Sequence, residues 1–118
     1  MGGVFVLRKR DGIPMKILGT KYEIVRRKRE DDPKLVENDG YCDPTSKIIV
    51  IVDEYTSDIN NVSDLSVYDN NVLRHEIIHA FLYESGFRNY SADETLVDWL
   101  AVQFPKILAA FENAECAR

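Results

Sequence analysis

Two histidines are all that this 118-residue chain contains, and they stand four residues apart around a glutamate, as His75-Glu76-Ile77-Ile78-His79. On a helix that spacing puts both imidazoles on one face, one turn apart, so both can reach a single metal ion with Glu76 beside them. Zinc takes neutral imidazole ligands and keeps a position open for water, and a carboxylate so placed can take the proton of that water as it attacks a carbonyl. The pattern predicts metal-assisted hydrolysis. The competing reading makes His75 and His79 partly buried residues of a core helix and Glu76 a solvated charge.

Two imidazoles do not complete a site, and with no histidine left the next ligand must be a carboxylate or a cysteine. Glu84 lies five residues past His79, about 140° further round a helix of 3.6 residues per turn, and so faces away. Glu94 is better placed, at the start of a following helix that the Gly86 turn lets fold back. Asp98 stands one turn later on the same face, where it can accept a hydrogen bond from a ligand histidine and hold its ring. Ser91-Ala92-Asp93-Glu94 also matches a capping box, in which Glu94 would only bond back to the Ser91 backbone, and Asp98 would then be an exposed helix charge.

The series His75-Glu76-x-x-His79 and Glu94-x-x-x-Asp98 resembles the gluzincin arrangement of zinc metallopeptidases. Residues 73–85, the pair Asp98-Trp99, and Gly40-Tyr41-Cys42-Asp43 ahead of residues 48–52 are similar to small single-domain zinc peptidases of phage, prophage and bacterial genomes. Residues 1–34 add little to the resemblance. It implies a zincin-like fold with His75, His79 and Glu94 as Zn2+ ligands, Glu76 as general base and acid, and Asp98 supporting a ligand histidine. The implied substrate is a peptide or protein. Larger gluzincins carry a second lobe and a further histidine near the oxyanion. This chain has neither, which leaves that role to a tyrosine, an arginine, backbone amides or the metal, with Tyr83, Arg88 and Tyr90 in sequence reach.

The elements that must carry these residues are predicted as strands first and helices after, an α+β order in one domain spanning residues 1–118. Residues 4–7, 13–18 and 22–26 read as extended segments, the last paired across an antiparallel turn. Arg26-Arg27-Lys28-Arg29, followed by Glu30-Asp31-Asp32, reads as a solvated strand end with local charge compensation. Residues 33–40 are polar and turn-rich, with one apolar contact expected from Leu35 and Val36. Residues 48–52 are five consecutive β-branched residues, a strand covered on both faces, with an edge free above the His-Glu-x-x-His helix to pair with an extended substrate. Residues 58–67 read as a loop or frayed helix start, with Ser66 as cap and Asp69 in the first turn. The metal-bearing helix is apolar around most of its circumference, which predicts burial, and Gly86 stops it. The next helix starts after Ser91, buries Leu96, Val97, Leu100 and Phe104, and breaks or kinks at Pro105 before a short terminal helix.

Composition narrows the partners. A formal net charge of −5 opposes a general nucleic-acid binder, because phosphate contacts need a basic surface. No apolar run is long enough to span a membrane, and the run at residues 4–7 is too short for a signal peptide, so a cytoplasmic location is expected. Cys42 and Cys116 do not make a disulfide framework and read as small buried or half-buried thiols. The absence of a heptad pattern favours a monomer. Two further classes fit the same sequence: a zinc-binding regulatory or interaction module without catalysis, and a metal-free α+β adaptor.

Overall fold

A computed structural model describes residues 4–6, 12–56 and 64–118; the basic stretch 8–10 and the polar stretch 58–63 lie outside the described residues. The architecture is α+β, a four-stranded mixed sheet followed by three helices. Strands β2 (Ile13–Ile17) and β3 (Thr20–Arg27) form an antiparallel hairpin closed by Leu18 and Gly19, at φ 49° and 83°. A two-residue hairpin with both central φ values positive has the backbone twist its strands demand, and glycine adopts it without strain whereas leucine does not. Two 3-10 turns, Arg29–Asp31 and Pro33–Leu35, lead to β4 (Gly40–Asp43) and β5 (Ile48–Val52). The sheet order is β2-β3-β5-β4, with β5 parallel to β3 and antiparallel to β4. β1 (Val4–Val6) and β6 (Glu54–Thr56) pair as a separate antiparallel ribbon.

β5 is the centre of the core, and its β-branched run is buried on both faces as its sequence requires. Ile49 and Ile51 pack with Ile17, Tyr22 and Ile24 of the hairpin and with Leu73 and Ala80 of α1 (Leu65–Glu84), whereas Val50 and Val52 pack with Leu35 and Tyr55. Leu35, expected to make a single contact, is fully buried, while Val36 is exposed. Neither edge of β5 is free, because β3 and β4 take them both. The edge strands of this sheet are β2 and β4, and β4 is the one that lies beside the histidine-bearing helix; the expectation of a free edge on residues 48–52 is therefore corrected.

Charged groups clamp α1 at both ends. Asp69, expected as a first-turn charge, is buried; it accepts both guanidinium nitrogens of Arg26 at 3.0 and 2.6 Å and the hydroxyl of Tyr55 at 3.0 Å. Arg26 is therefore an internal tie between sheet and helix, contrary to its reading as a solvated strand end; Arg27 and Arg29 do find local acids, in Asp32 and Asp39. The cap of α1 is Asp64, which accepts from the amides of Ser66 and Val67, and not Ser66 itself. At the far end Glu84 accepts from Thr20, Tyr22 and Lys47, which places it away from the histidines as its angle on the helix predicts. Gly86, at φ 87°, ends α1: its amide donates to Tyr83 O and that of Phe87 to Leu82 O, the paired bonds of a left-handed helix stop.

After α2 (Arg88–Ser91), α3 (Glu94–Asn113) is capped by Asp93 and runs unbroken through Pro105. A proline nitrogen carries no hydrogen, so the Ala101 carbonyl loses its helical partner. Arg74 Nε of α1 supplies the missing donor at 2.8 Å. That bond, with buried Val97 and Ala101 at the contact, fixes α3 on α1; Phe104, expected inside, is exposed. The helices meet where α3 is narrow, so the small Ala101 and not the large Phe104 occupies the interface. No helix among the described residues is long and apolar enough to cross a membrane.

Leu18 is 56% exposed, so it contributes strain without compensating burial. Leu18→Asn is expected to stabilise the fold by about 1 kcal/mol. A rise of a few degrees in the thermal midpoint would report it, and a fall would show that Leu18 is held for its side chain.

Candidate metal centre

His75 and His79 project from α1 toward α3, and Glu94, the first residue of α3, meets them. Their Nε2 atoms are 3.0 Å apart, and Glu94 Oε1 lies 2.9 Å from His75 Nε2 and 3.3 Å from His79 Nε2. The opposite ring nitrogens are both committed. His75 Nδ1 faces Asp98 Oδ1 at 2.9 Å, and His79 Nδ1 faces the Ser91 carbonyl oxygen. Both partners only accept hydrogen bonds, so each ring keeps a proton on Nδ1 and turns Nε2 toward the centre. Two ring nitrogens and a carboxylate oxygen thus converge on one point, an arrangement that favours a positive charge, a proton or a metal ion, between them. His75, His79 and Glu94 can hold a metal ion, and they are the one such group among the described residues.

The local fold explains each position. The turn at Gly86 reverses the chain, α2 crosses the end of α1, and Ser91 fastens it there with its hydroxyl donating to His79 O at 2.8 Å. Ser91 is therefore bound to His79 at both its hydroxyl and its carbonyl, and it does not cap α3. With Asp93 in that role, accepting from the Leu96 amide, Glu94 is freed from the capping-box bond and points at the histidines. Its place in the first turn also sets its carboxylate at the positive end of the helix dipole. Glu94, Val97, Asp98 and Ala101 share one face, so the contact that buries Val97 and Ala101 also brings both acids to His75. Each acid remains largely open to solvent, with side chains 65% and 68% exposed.

Glu76 is different. It is 7% exposed, and no side chain or backbone group among the described residues hydrogen-bonds its carboxyl. Burial, and then the negative charges of Glu94 and Asp98, push it up to about 8. A cation held by His75, His79 and Glu94 would act against that rise. The carboxyl borders two adjoining clefts. One, of about 690 Å³, is bounded by His75, His79, Tyr83, Arg88 and the β4 strand; a smaller one of about 220 Å³ is bounded by Asp39, Tyr68, Asn71 and Asp98.

β4 reaches this close because of Gly40. A Cβ there would fall 2.8 Å from Ile51 Cδ1 and 3.1 Å from Val72 Cγ1, so only glycine lets the edge strand lie against α1 one turn before His75. Cys42, on the same strand face, lines the larger cleft; burial, and next Glu76, push its thiol up to about 12. Cys116 is exposed beyond the end of α3. Of the three residues within sequence reach as oxyanion partners, Tyr83 and Arg88 line the cleft, while Tyr90 packs on Phe87 outside it.

The structure thus sets His75, His79, Glu94 and Asp98 in contact and lines the same cleft with Glu76, whereas Tyr90, also named from sequence, stays outside. Ser91, Gly40 and Arg74 were not foreseen in their roles. Ser91 carried a polar signal that was read as a cap, and the value of Arg74 could be inferred only by noticing that Pro105 orphans a carbonyl. No protein-family model, curated protein or solved structure matches the chain.

Removing Asp98 leaves the three donors in place but frees the His75 ring, so Asp98→Ala is expected to weaken metal binding by about 10–100-fold. Glu94→Ala should weaken it further, as read by competition with a chromophoric chelator; full affinity in that variant would put the third ligand elsewhere. A thiol reagent at pH 8 is expected to label Cys116 quickly and Cys42 slowly, as mapped by peptide mass spectrometry. Equal rates would mean the cleft wall at Cys42 is open.

Proposed function

We propose that the chain is a zinc-dependent peptidase of gluzincin-like arrangement, built on a zincin-like fold. The observation that carries this reading is the convergence of His75 Nε2, His79 Nε2 and Glu94 Oε1 on one point beside the buried Glu76 carboxyl, which has no hydrogen-bond partner among the described residues. A tetrahedral zinc with nitrogen and oxygen ligands at about 2.0–2.1 Å needs donors about 3.3 Å apart, close to the spacing of His75, His79 and Glu94. The neutral tautomers set by Asp98 and Ser91 are also the ones zinc requires. Three protein ligands leave one vertex for chemistry, the pattern of catalytic and not structural zinc sites.

When bound, zinc would supply Lewis acidity for a peptide carbonyl and for the attacking water. The protein's own groups supply the rest. Glu76, lining the cleft next to that vertex, takes the proton of the attacking water on its carboxylate and returns it to the departing amide nitrogen. Its buried setting keeps bulk water from competing for that proton. The free edge of β4 offers backbone donors and acceptors along the cleft, and an extended peptide can add to it as a further strand. A net charge of −5, and a cleft lined among the described residues by a single lysine or arginine side chain, favour a peptide over a nucleic acid.

The test is Glu76→Gln, which preserves shape and removes the base. It is expected to keep its zinc, by elemental analysis of protein purified without a histidine tag, and to lose about 10²–10⁴-fold in hydrolysis of a cleavable peptide. Wild-type turnover in that variant would rule out Glu76 as the base. Protein that holds no zinc at all would rule out the metal reading.

A further inference from the structure

We infer that Arg88 selects the substrate of this cleft by binding a carboxylate of the peptide, an inference that rests on the peptidase reading above. Among the described residues, every other arginine ahead of the C-terminal Arg118 has an oxygen partner: Arg26 has Asp69, Arg27 has Asp32, Arg29 has Asp39, and Arg74 has the Ala101 carbonyl. Arg88 has none, in a chain with 20 acidic residues against 15 basic ones. It is also the one lysine or arginine that lines the 690 Å³ cleft.

Its position is held, not random. The guanidinium carbon lies 4.5 Å from the centre of the Tyr83 ring, and Tyr83 stands one helical turn beyond His79 on the same side of α1. A contact with the ring face uses none of the guanidinium N–H donors, which stay available for two-point binding of a carboxylate. The backbone of Arg88 is equally fixed, because Ser91 of the same helical turn is bound twice to His79. Lys47, the other cation over Tyr83, is already neutralised by Glu84 at 2.7 Å. A single unpaired, pre-oriented cation, set in a cleft whose other charged groups are acids, is the feature that discriminates among peptides there. The carboxylate can be a free peptide C-terminus or an aspartate or glutamate side chain.

The experiment uses matched peptides that differ only in Glu against Gln at each position, or in a free acid against an amide at the C-terminus. Zinc-loaded protein is expected to prefer one carboxylate member of these pairs by about 10–100-fold in kcat/KM, expressed mainly in KM. The pair that shows the preference tells a side chain from a chain end. Arg88→Ala should bring that ratio close to one, Arg88→Lys should restore part of it, and Arg88→Glu should reverse it toward lysine-bearing peptides. An equal fall in kcat for both members of a pair would make Arg88 a group that acts on the reacting carbonyl and would overturn the proposal. The same pairs, bound to zinc-loaded Glu76→Gln protein and followed by fluorescence anisotropy, separate the two readings. A carboxylate preference that Arg88→Ala abolishes sustains the role of Arg88 even if wild-type protein cleaves nothing, whereas equal affinities, or no binding of either member, overturn it.

Discussion

Like lone pairs do not gather by themselves. Here Asp98 and the Ser91 carbonyl hold both imidazole protons on the outer nitrogens, and the inner nitrogens are left facing each other and the Glu94 carboxylate. Such a centre favours a positive charge between its donors, and the rest of the structure is arranged to keep it assembled. Its donors come from two helices, so everything depends on how firmly α3 is set against α1.

Arg74 and the buried Val97 and Ala101 set α3 on α1, and polar ties set α1 itself on the sheet. Arg26 and Tyr55 seize Asp69 near the start of α1, while Thr20, Tyr22 and Lys47 seize Glu84 at its end, so the helix that carries the histidines is fastened to the sheet at both extremities. Between these points the apolar contacts of Leu73 and Ala80 with the core set the helix rotation. The same rotation buries Glu76 and turns the half-buried His75 and His79 toward α3, because the three residues occupy adjacent sectors of one helix. Burial of the carboxyl and presentation of the imidazoles to α3 are thus one geometric fact.

Sequence periodicity was a good guide where a residue's role follows from its own helix or strand. The spacing of His75 and His79, the angle that turns Glu84 away from them, the stop at Gly86 and the two-sided burial of residues 48–52 are all local properties, and each stands in the structure. Roles decided by distant partners were harder to see. Arg26 sits in a run of four basic residues, and nothing nearby in sequence marks it as the one that Asp69 will draw inside. Edge and interior strands look alike by composition, so the open edge was assigned to β5 although β3 and β4 flank it. Large apolar side chains are a poor index of burial on α3, where close approach selects Ala101 and leaves Phe104 in solvent.

The bond from Arg74 to Ala101 has a consequence for how the two helices find each other. Along an ordinary helix all interior carbonyls are satisfied and equivalent, so a partner helix could slide by a turn, about 5.4 Å, at little cost in hydrogen bonding. Pro105 removes that equivalence by creating a single vacant acceptor at a single height on α3. Any slipped pairing strands this carbonyl and the guanidinium together, and carries Glu94 out of reach of the imidazoles. A proline far along the helix therefore acts as an alignment mark, setting the axial position of a ligand about three turns away.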